Sequence, residues 1–307
     1  MSLSPSVQVN GSITAIVVTY QSAAVIRRCL ESLRCAAPRR GVVVLVADNA
    51  SMDGSATISQ ELLNADHVIR LAENRGFAAG VNAALGLVAT PWIALVNPDT
   101  VLPPGSLDQL VDILEANPRA ALIGPRVRDD TGRAERTVGR FPTLPREWVH
   151  SLLLDRLGLE GRIAPFPRRT DSVDWVSACV WLLRANALRQ VGLLDEAYFM
   201  YGEDVDYCRQ LRDSNWEVLA TPLVEVMHSL GRGSTATDSM PADGGRSLIH
   251  YFAKFHADVP ERRIRSILVR GWKLRRVWRL IRAQFGDERS ARIARRYLLA
   301  VQALDGP

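Results

Sequence analysis

Ile13-Thr14-Ala15-Ile16-Val17-Val18-Thr19 is a β-branched run bounded by polar residues, and Val25 to Leu33 after it carries apolar residues at helical spacing before Pro38 closes the unit. This strand-then-helix unit decides the fold because it repeats. Val42 to Ala47 is a second buried strand ending at Asp48, and Ser51-Met52-Asp53-Gly54-Ser55 supplies turn and N-cap chemistry for the helix behind it. His67 to Leu71 reads as a short third strand, Ala78 to Val88 as a helix, and Trp92 to Val96 as a fourth strand stopping at Asn97-Pro98-Asp99. The βαβαβαβ alternation predicts an α/β fold: a Rossmann-like, doubly wound, mostly parallel sheet with right-handed crossovers and helices on both faces. Ligands of such sheets sit beyond the C-terminal strand ends. Thr19-Tyr20, Asp48 and Asn97-Pro98-Asp99 all fall there.

Downstream, Ser106 to Ala116 reads as a helix, whereas Arg128 to Pro167 loses clear periodicity and gains Pro, Gly and Arg. A long loop region is expected there, with a short helix near Trp148 to Leu157, and so long an irregular stretch in a compact domain is expected to face substrate. Val173 to Leu183 is strand-like, Ala185 to Val191 helical, and Asp204 to Ser214 a helix with acids in its first turn. Tyr201-Gly202-Glu203-Asp204-Val205-Asp206 packs three carboxylates into four positions behind aromatic residues. Crowded acids raise one another's pKa and suit proton abstraction or cation binding. An acidic first turn stabilised by the helix macrodipole is the structural alternative, and it does not exclude catalysis.

The 307 residues are 47% hydrophobic and 23% charged, an ordinary globular balance. Cys29, Cys35, Cys179 and Cys208 lack paired spacing, which favours free thiols in a reducing compartment. No leader-like start and no apolar run of bilayer-spanning length is apparent, so a cytoplasmic protein is expected, at the inner face of the plasma membrane if it meets lipid. The net charge of +5 is uneven: residues 261–296 hold thirteen Lys/Arg against three Asp/Glu, a local +10 that leaves −5 elsewhere. Within them Ile264, Ile267, Gly271, Leu274, Trp278, Ile281 and Phe285 recur at three- and four-residue spacing, a basic amphipathic helix. Two roles have equal claim for residues 261–285: peripheral contact with an anionic membrane, or packing on the catalytic body or in a homodimer seam. Nucleic acid is the weakest partner. The expected organisation is a catalytic domain over 12–240, with a donor half at about 12–100 and an acceptor half at about 101–240, followed by a helical basic region at 241–307.

Seven motifs then occur in a familiar order: Val17-Val18-Thr19-Tyr20; Asp48-Asn49-Ala50-Ser51-Met52-Asp53-Gly54-Ser55; Asn74-Arg75-Gly76-Phe77 with Gly80 and Asn82; Asn97-Pro98-Asp99; Trp175 with Arg184; Tyr201 to Asp206 with Arg209; and His228 with Gly231. Over about residues 12–256 the chain resembles family 2 inverting glycosyltransferases of the GT-A fold, particularly bacterial rhamnosyltransferases. The resemblance implies a nucleoside-diphosphate-sugar donor held by Thr19, Tyr20, Asp48, Arg75, Gly76, Asn82, Asn97 and Asp99. Asp48 would accept from a base imide or a ribose hydroxyl, and Arg75 would face a phosphate. Asn97-Pro98-Asp99 occupies the family's DxD position with an amide in place of the first acid, so Asp99 and, by resemblance, His228 are the metal ligands. A carboxylate, an imidazole and diphosphate oxygens suit Mg²⁺ or Mn²⁺.

Inversion by direct displacement needs a general base, and Asp204 is the candidate, with Glu203 and Asp206 raising its pKa and Arg209 closing the acidic network. Trp175 is a candidate for stacking on a sugar ring, although an aromatic residue in an apolar strand commonly belongs to the core. The resemblance implies rhamnose from a dTDP donor and a glycan or polyprenyl-diphosphate-linked acceptor; a UDP- or GDP-sugar is the alternative. A sugar-phosphate nucleotidyltransferase is less consistent, because Thr19-Tyr20-Gln21-Ser22 stands where a glycine- and basic-rich loop would follow the first strand. A non-catalytic membrane-binding module is hinted at by Asn97 and opposed by Asp99, Asp204 and His228.

Overall fold

The computed structural model describes residues 12–229 and 240–305. In chain order the elements are β1 (Ile13–Thr19), α1 (Ile26–Ala36), β2 (Val42–Asp48), α2 (Ser55–Leu62), β3 (Val68–Arg70), α3 (Phe77–Leu85), β4 (Trp92–Val96), β5 (Thr100–Val101), α4 (Ser106–Ala116) and β6 (Ala120–Arg128). There follow β7 (Val138–Gly139), α5 (Leu144–Ser151), β8 (Asp171–Ser172), β9 (Trp175–Val176), β10 (Val180–Arg184), α6 (Ala185–Val191), α7 (Glu203–Asp213), β11 (Glu217–His228), α8 (Met240–Phe255), α9 (Glu261–Gln284) and α10 (Glu288–Asp305).

The main sheet runs β3-β2-β1-β4-β10-β6-β11-β5, with β8 added to β11. The first four strands are mutually parallel, and β10 enters antiparallel between β4 and β6. Strand β1 explains why no polar face is needed. Ile13, Ala15 and Val17 pack with Ile26, Leu30 and Leu33 of α1 and Leu107, Leu110 and Leu114 of α4. Ile16 and Val18 point the other way, into a layer with Ala78 and Val81 of α3 and Tyr207 and Leu211 of α7. Both faces of the strand are therefore buried, as parallel strands covered by helices require.

Several expected boundaries moved for local reasons. Pro145 lies in the first turn of α5, where its missing N–H costs nothing, so that helix starts at Leu144 rather than near Trp148. The expected strand Val173–Leu183 is two strands in different sheets. β9 pairs with β7, β10 joins the main sheet, and between them the Ser177 N–H donates to the Thr137 carbonyl. β6 and β11 escaped the sequence reading because Pro125 and Pro222 interrupt their patterns; they pair in parallel with a register shift between Thr221 and Glu225.

The last three helices share an apolar cluster built from Leu248, Tyr251 and Phe252 of α8, Ile264, Leu268 and Trp272 of α9, and Ala300 and Leu304 of α10, with Leu144 and Val205 packed against it. Gly271 lets α9 cross closely over α5, since a Cβ there would meet the Ser151 side chain at 2.9 Å. The first half of α9 is thus largely packed, while Leu274, Val277, Leu280 and Ile281 beyond it are exposed, as is Phe285 at its C-terminal end. Among the described residues no helix is long and apolar enough to cross a membrane.

Candidate active site

The ends of β1 and β2 form a cradle whose walls are tied together. The Gln21 N–H donates to Ser51 Oγ at 3.0 Å, the Ser22 N–H to Ser55 Oγ at 2.8 Å, and the Ala23 N–H to Asp53 Oδ2 at 2.8 Å. Burial alone would raise the Asp53 pKa, but hydrogen bonds from Ser55 and the Ala23 amide hold it below the usual carboxylate range. Gln21 and Ala50, at the two turns, both adopt positive φ, backbone strain held in place by these bonds. Inside the cradle Thr19 Oγ1 and Asp48 Oδ1 are buried without a hydrogen-bond partner, while Asp48 Oδ2 accepts from the Ser51 N–H. Two unsatisfied polar atoms at adjacent strand ends are costly unless a ligand completes them. Tyr20 stands exposed at the rim.

Arg75, Gly76 and Asn82 are engaged within the protein. Arg75 pairs with Glu196 at 2.6 Å, and Asn82 exchanges hydrogen bonds with the backbone of Leu194 while also donating to Glu196. Gly76 has a φ of +90°, and a Cβ there would sit 2.1 Å from the Phe199 carbonyl oxygen. These residues lock the turn before α3 to the segment that leads into α7, so they brace the loop carrying the acids.

Asp99, 8% exposed, lies just beyond β4, with its Oδ1 3.1 Å from His228 Nε2 at the end of β11. His228 Nδ1 is 3.1 Å from Glu135, a residue the sequence did not single out. Burial pulls the His228 pKa down, but Asp99, Cys179 and Glu135 outweigh it and raise the imidazole well above its ordinary value. A carboxylate and an imidazole converging at this strand end fit two ligands of a Mg²⁺ or Mn²⁺ ion. Among the described residues no cluster of three or more His, Cys, Asp or Glu could hold a metal. Gly231 lies outside the described residues. The Asn97 backbone bridges to Cys179 and Thr100, joining this corner to the segment before β10.

The three acids at the start of α7 have different surroundings. Glu203 is buried with Oε2 unpartnered, and burial, then Asp204 and Asp206, push its pKa up to about 8. Asp206, 1% exposed, accepts from Tyr198 Oη at 2.9 Å, from Lys254 Nζ at 2.9 Å and from Gln210, which makes it a tie between α7 and α8. Of the three, Asp204 lines the cavity shared with Trp175, Ser177, Arg136, Arg162 and Tyr201. Its Oδ1 accepts from the Val205 N–H, and burial raises its pKa against that bond and others from backbone amides. Tyr201 and Gly202, both at positive φ, set the sharp entry to α7.

Arg209 does not join the acids: it forks onto Asp213 and lies over the rings of Phe141 and Phe255. Trp175 is 8% exposed, donates from Nε1 to the Arg140 carbonyl, and offers the cavity one wall. Arg184 serves the fold, bonding the Ala120 and Leu114 carbonyls and covering Trp92. Neighbouring residues join the two sites, since Glu135 touches His228 while Arg136 lines the cavity of Asp204.

The model of the family described as "Glycosyl transferase family 2" matches residues 14–189. The chain belongs to that family. An N-acetylglucosaminyl-diphospho-decaprenol L-rhamnosyltransferase of Mycobacterium tuberculosis is 33% identical over 232 residues, covering 69% of this chain and 74% of that protein. The succinoglycan biosynthesis protein ExoU of Rhizobium meliloti is 30% identical over 198 residues, 61% of this chain and 52% of that one. Among solved structures, the mannosyltransferase PcManGT from Pyrobaculum calidifontis in complex with GDP-Man and Mn²⁺ superposes with a TM-score of 0.58 at 15% identity, over 96% of this chain and 87% of that chain. TarS 1-349 of S. aureus in complex with UDP-GlcNAc gives 0.54 at 17% identity, over 84% and 70%. The structural likenesses show the GT-A fold. This family 2 glycosyltransferase is accordingly neither a nucleotidyltransferase nor a bare membrane module.

Proposed function

We propose that this glycosyltransferase moves L-rhamnose, with inversion, from dTDP-rhamnose to a hydroxyl of an N-acetylglucosamine carried by a polyprenyl diphosphate, in assembly of a cell-wall or surface polysaccharide. The observation that carries the proposal is the 33% identity over 232 residues to an N-acetylglucosaminyl-diphospho-decaprenol L-rhamnosyltransferase, whose name gives the sugar and the acceptor. Asp204, the one acid of its cluster facing the cavity, supports it.

In this reading the donor's base and ribose complete the orphaned Thr19 Oγ1 and Asp48 Oδ1, with the Tyr20 and Asn97 edges beside them. Asp99 and His228 would hold Mg²⁺ or Mn²⁺, and the ion would supply positive charge to offset that on the departing diphosphate. Asp204 accepts the proton of the acceptor hydroxyl as its oxygen attacks the anomeric carbon from the face opposite the nucleotide. The carbon–oxygen bond to the diphosphate breaks, and one face-to-face displacement inverts the centre. A raised pKa brings the Asp204 carboxylate nearer to the range useful for a base. Trp175 walls the acceptor sugar, and Glu203, Asp206 and Arg209 hold the loop and helix that aim Asp204.

The lipid-linked acceptor implies peripheral work at the cytoplasmic face of a membrane. Leu274, Val277 and Ile281 on the distal half of α9, and Phe285 just beyond it, are exposed on a strongly basic helix, a stripe suited to anionic headgroups. Titration calorimetry of dTDP, UDP and GDP, each with and without Mn²⁺, tests the donor assignment. Metal-dependent preference for dTDP is expected; preference for UDP or GDP would discard rhamnose while keeping the glycosyltransferase.

A further inference from the structure

Next to the cavity of Asp204 lies a second one of about 380 Å³. Arg162, Tyr201 and Gly244 belong to the walls of both. The second cavity is bounded on its far side by α5 and α9, which contribute Glu147, His150, Trp272 and Arg275. Nothing in the transfer chemistry above uses it.

Its lining is polar in a way a packing defect would not be. Two guanidinium groups, Arg162 and Arg275, line the cavity. Arg275 is fixed by donating to the carbonyls of Ser151 and His150 at the end of α5, which places a rigid cation at the wall. Arg162 is tethered only loosely to Glu147, at 3.9 Å. Glu147 is 1% exposed, and its Oε1 has no hydrogen-bond partner. Burial, against Coulombic pull from Arg162 and Arg275, raises its pKa, and burial together with the same two arginines lowers that of His150 to about 4, with Asp155 behind it at 3.4 Å. With His150 uncharged near neutral pH, the two arginines outnumber the single carboxyl, Glu147, in the cavity lining. Two guanidinium groups in one cavity favour a ligand that is anionic and rich in acceptors, and the unpartnered Glu147 Oε1 is open to a hydroxyl of that ligand or to water. Gly244 opens the space between the cavities, for a Cβ there would meet nothing within 4 Å.

We propose that the two cavities form one acceptor track, in which the sugar to be extended lies beside Asp204 and the diphosphate that carries it lies between Arg162 and Arg275. The track rests on the transferase reading for its first half; the second half is a diphosphate site in its own right. Arg162, at the junction, is the residue that distinguishes a diphosphate-linked acceptor from a free glycan.

Binding measured without donor separates the two claims. Farnesyl-diphosphate-linked N-acetylglucosamine and farnesyl N-acetylglucosaminide, which lacks phosphate, are titrated calorimetrically into wild type, Arg162→Ala and Arg162→Lys. Wild type is expected to prefer the diphosphate compound by roughly tenfold or more, the scale of one charge-assisted contact. Arg162→Ala should lose most of that preference, with Arg275 keeping the remainder, and Arg162→Lys, which keeps the charge, should recover part of it. Equal affinity of wild type for both compounds, or an undiminished preference in Arg162→Ala, would overturn the site. Loss of both compounds in Arg162→Ala and Arg162→Lys alike would also overturn it, by making Arg162 a framework residue. A wild type with the expected preference that transfers no sugar would instead refute the transferase reading and leave the diphosphate site standing.

Discussion

Replacing Glu203 by Gln should stabilise the protein at alkaline pH and destabilise it at acid pH. The carboxyl is buried, its Oε2 is unpartnered, and its pKa rises from 4.5 to about 8 on folding. Below pH 4.5 the folded and unfolded chains both hold the proton, and the neutral side chain is tolerated. Between there and pH 8 the unfolded chain releases the proton while the native chain keeps it, so stability falls as pH rises, and above 8 the full cost of a buried charge is present. At about 1.4 kcal/mol per pKa unit the ceiling is about 5 kcal/mol. Gln keeps the shape but brings an amide that also lacks a partner, so a gain of about 2–3 kcal/mol is expected at pH 9. Denaturant melts of both proteins from pH 5 to 9 measure it directly. A stability difference that stays flat across that range would refute the reasoning. Because Glu203 holds its proton below about pH 8, the same substitution removes no charge from beside Asp204 in that range, so the acid limb of the activity profile should stay where it is.

Asp204→Asn should lower kcat by about 10²–10⁴, the range for a lost general base, and spare nucleotide binding; turnover within a few-fold of wild type would remove Asp204 from that role. Lys254→Met leaves the buried Asp206 without its cation, and a loss of about 3 kcal/mol is expected in denaturant melts. Gly76→Ala must shift either the turn before α3 or Phe199, so a lower melting temperature together with a lower kcat is expected; an unchanged melting temperature would contradict the close approach seen there. Mn²⁺ should bind more tightly with nucleotide as pH rises, because His228 gives up the proton shared with Asp99 and Glu135, and His228→Ala should weaken binding and flatten that slope in calorimetry.

Where burial pattern and chain order suffice, the sequence was easy to read. β1 and β4 and helices such as α4 coincide with their apolar runs because strands covered on both faces leave no polar alternation to misread. Asp99 and His228 were placed by motif order and do approach each other. What stayed hidden depended on tertiary contact. Glu135, Arg136 and Arg162 lie in a stretch without periodicity, and only the pairing of β7 with β9 brings it alongside α7. Arg75 and Asn82 read as ligand contacts, and their pairing with Glu196 and Leu194, more than a hundred residues away, was not legible in the sequence. Likewise, three adjacent acids cannot be told apart by spacing. Their difference comes from Lys254 and Tyr198 on one side and an open cavity on the other.

The central claim is transfer of rhamnose to a diphosphate-linked sugar with Asp204 as base. Purified protein incubated with dTDP-rhamnose, Mn²⁺ and prenyl-diphosphate-linked N-acetylglucosamine, analysed by mass spectrometry, tests it most directly. A product heavier by one deoxyhexosyl residue, of inverted anomeric configuration and absent with Asp204→Asn, is predicted. No such product from the wild type, or the same yield from Asp204→Asn, would contradict it.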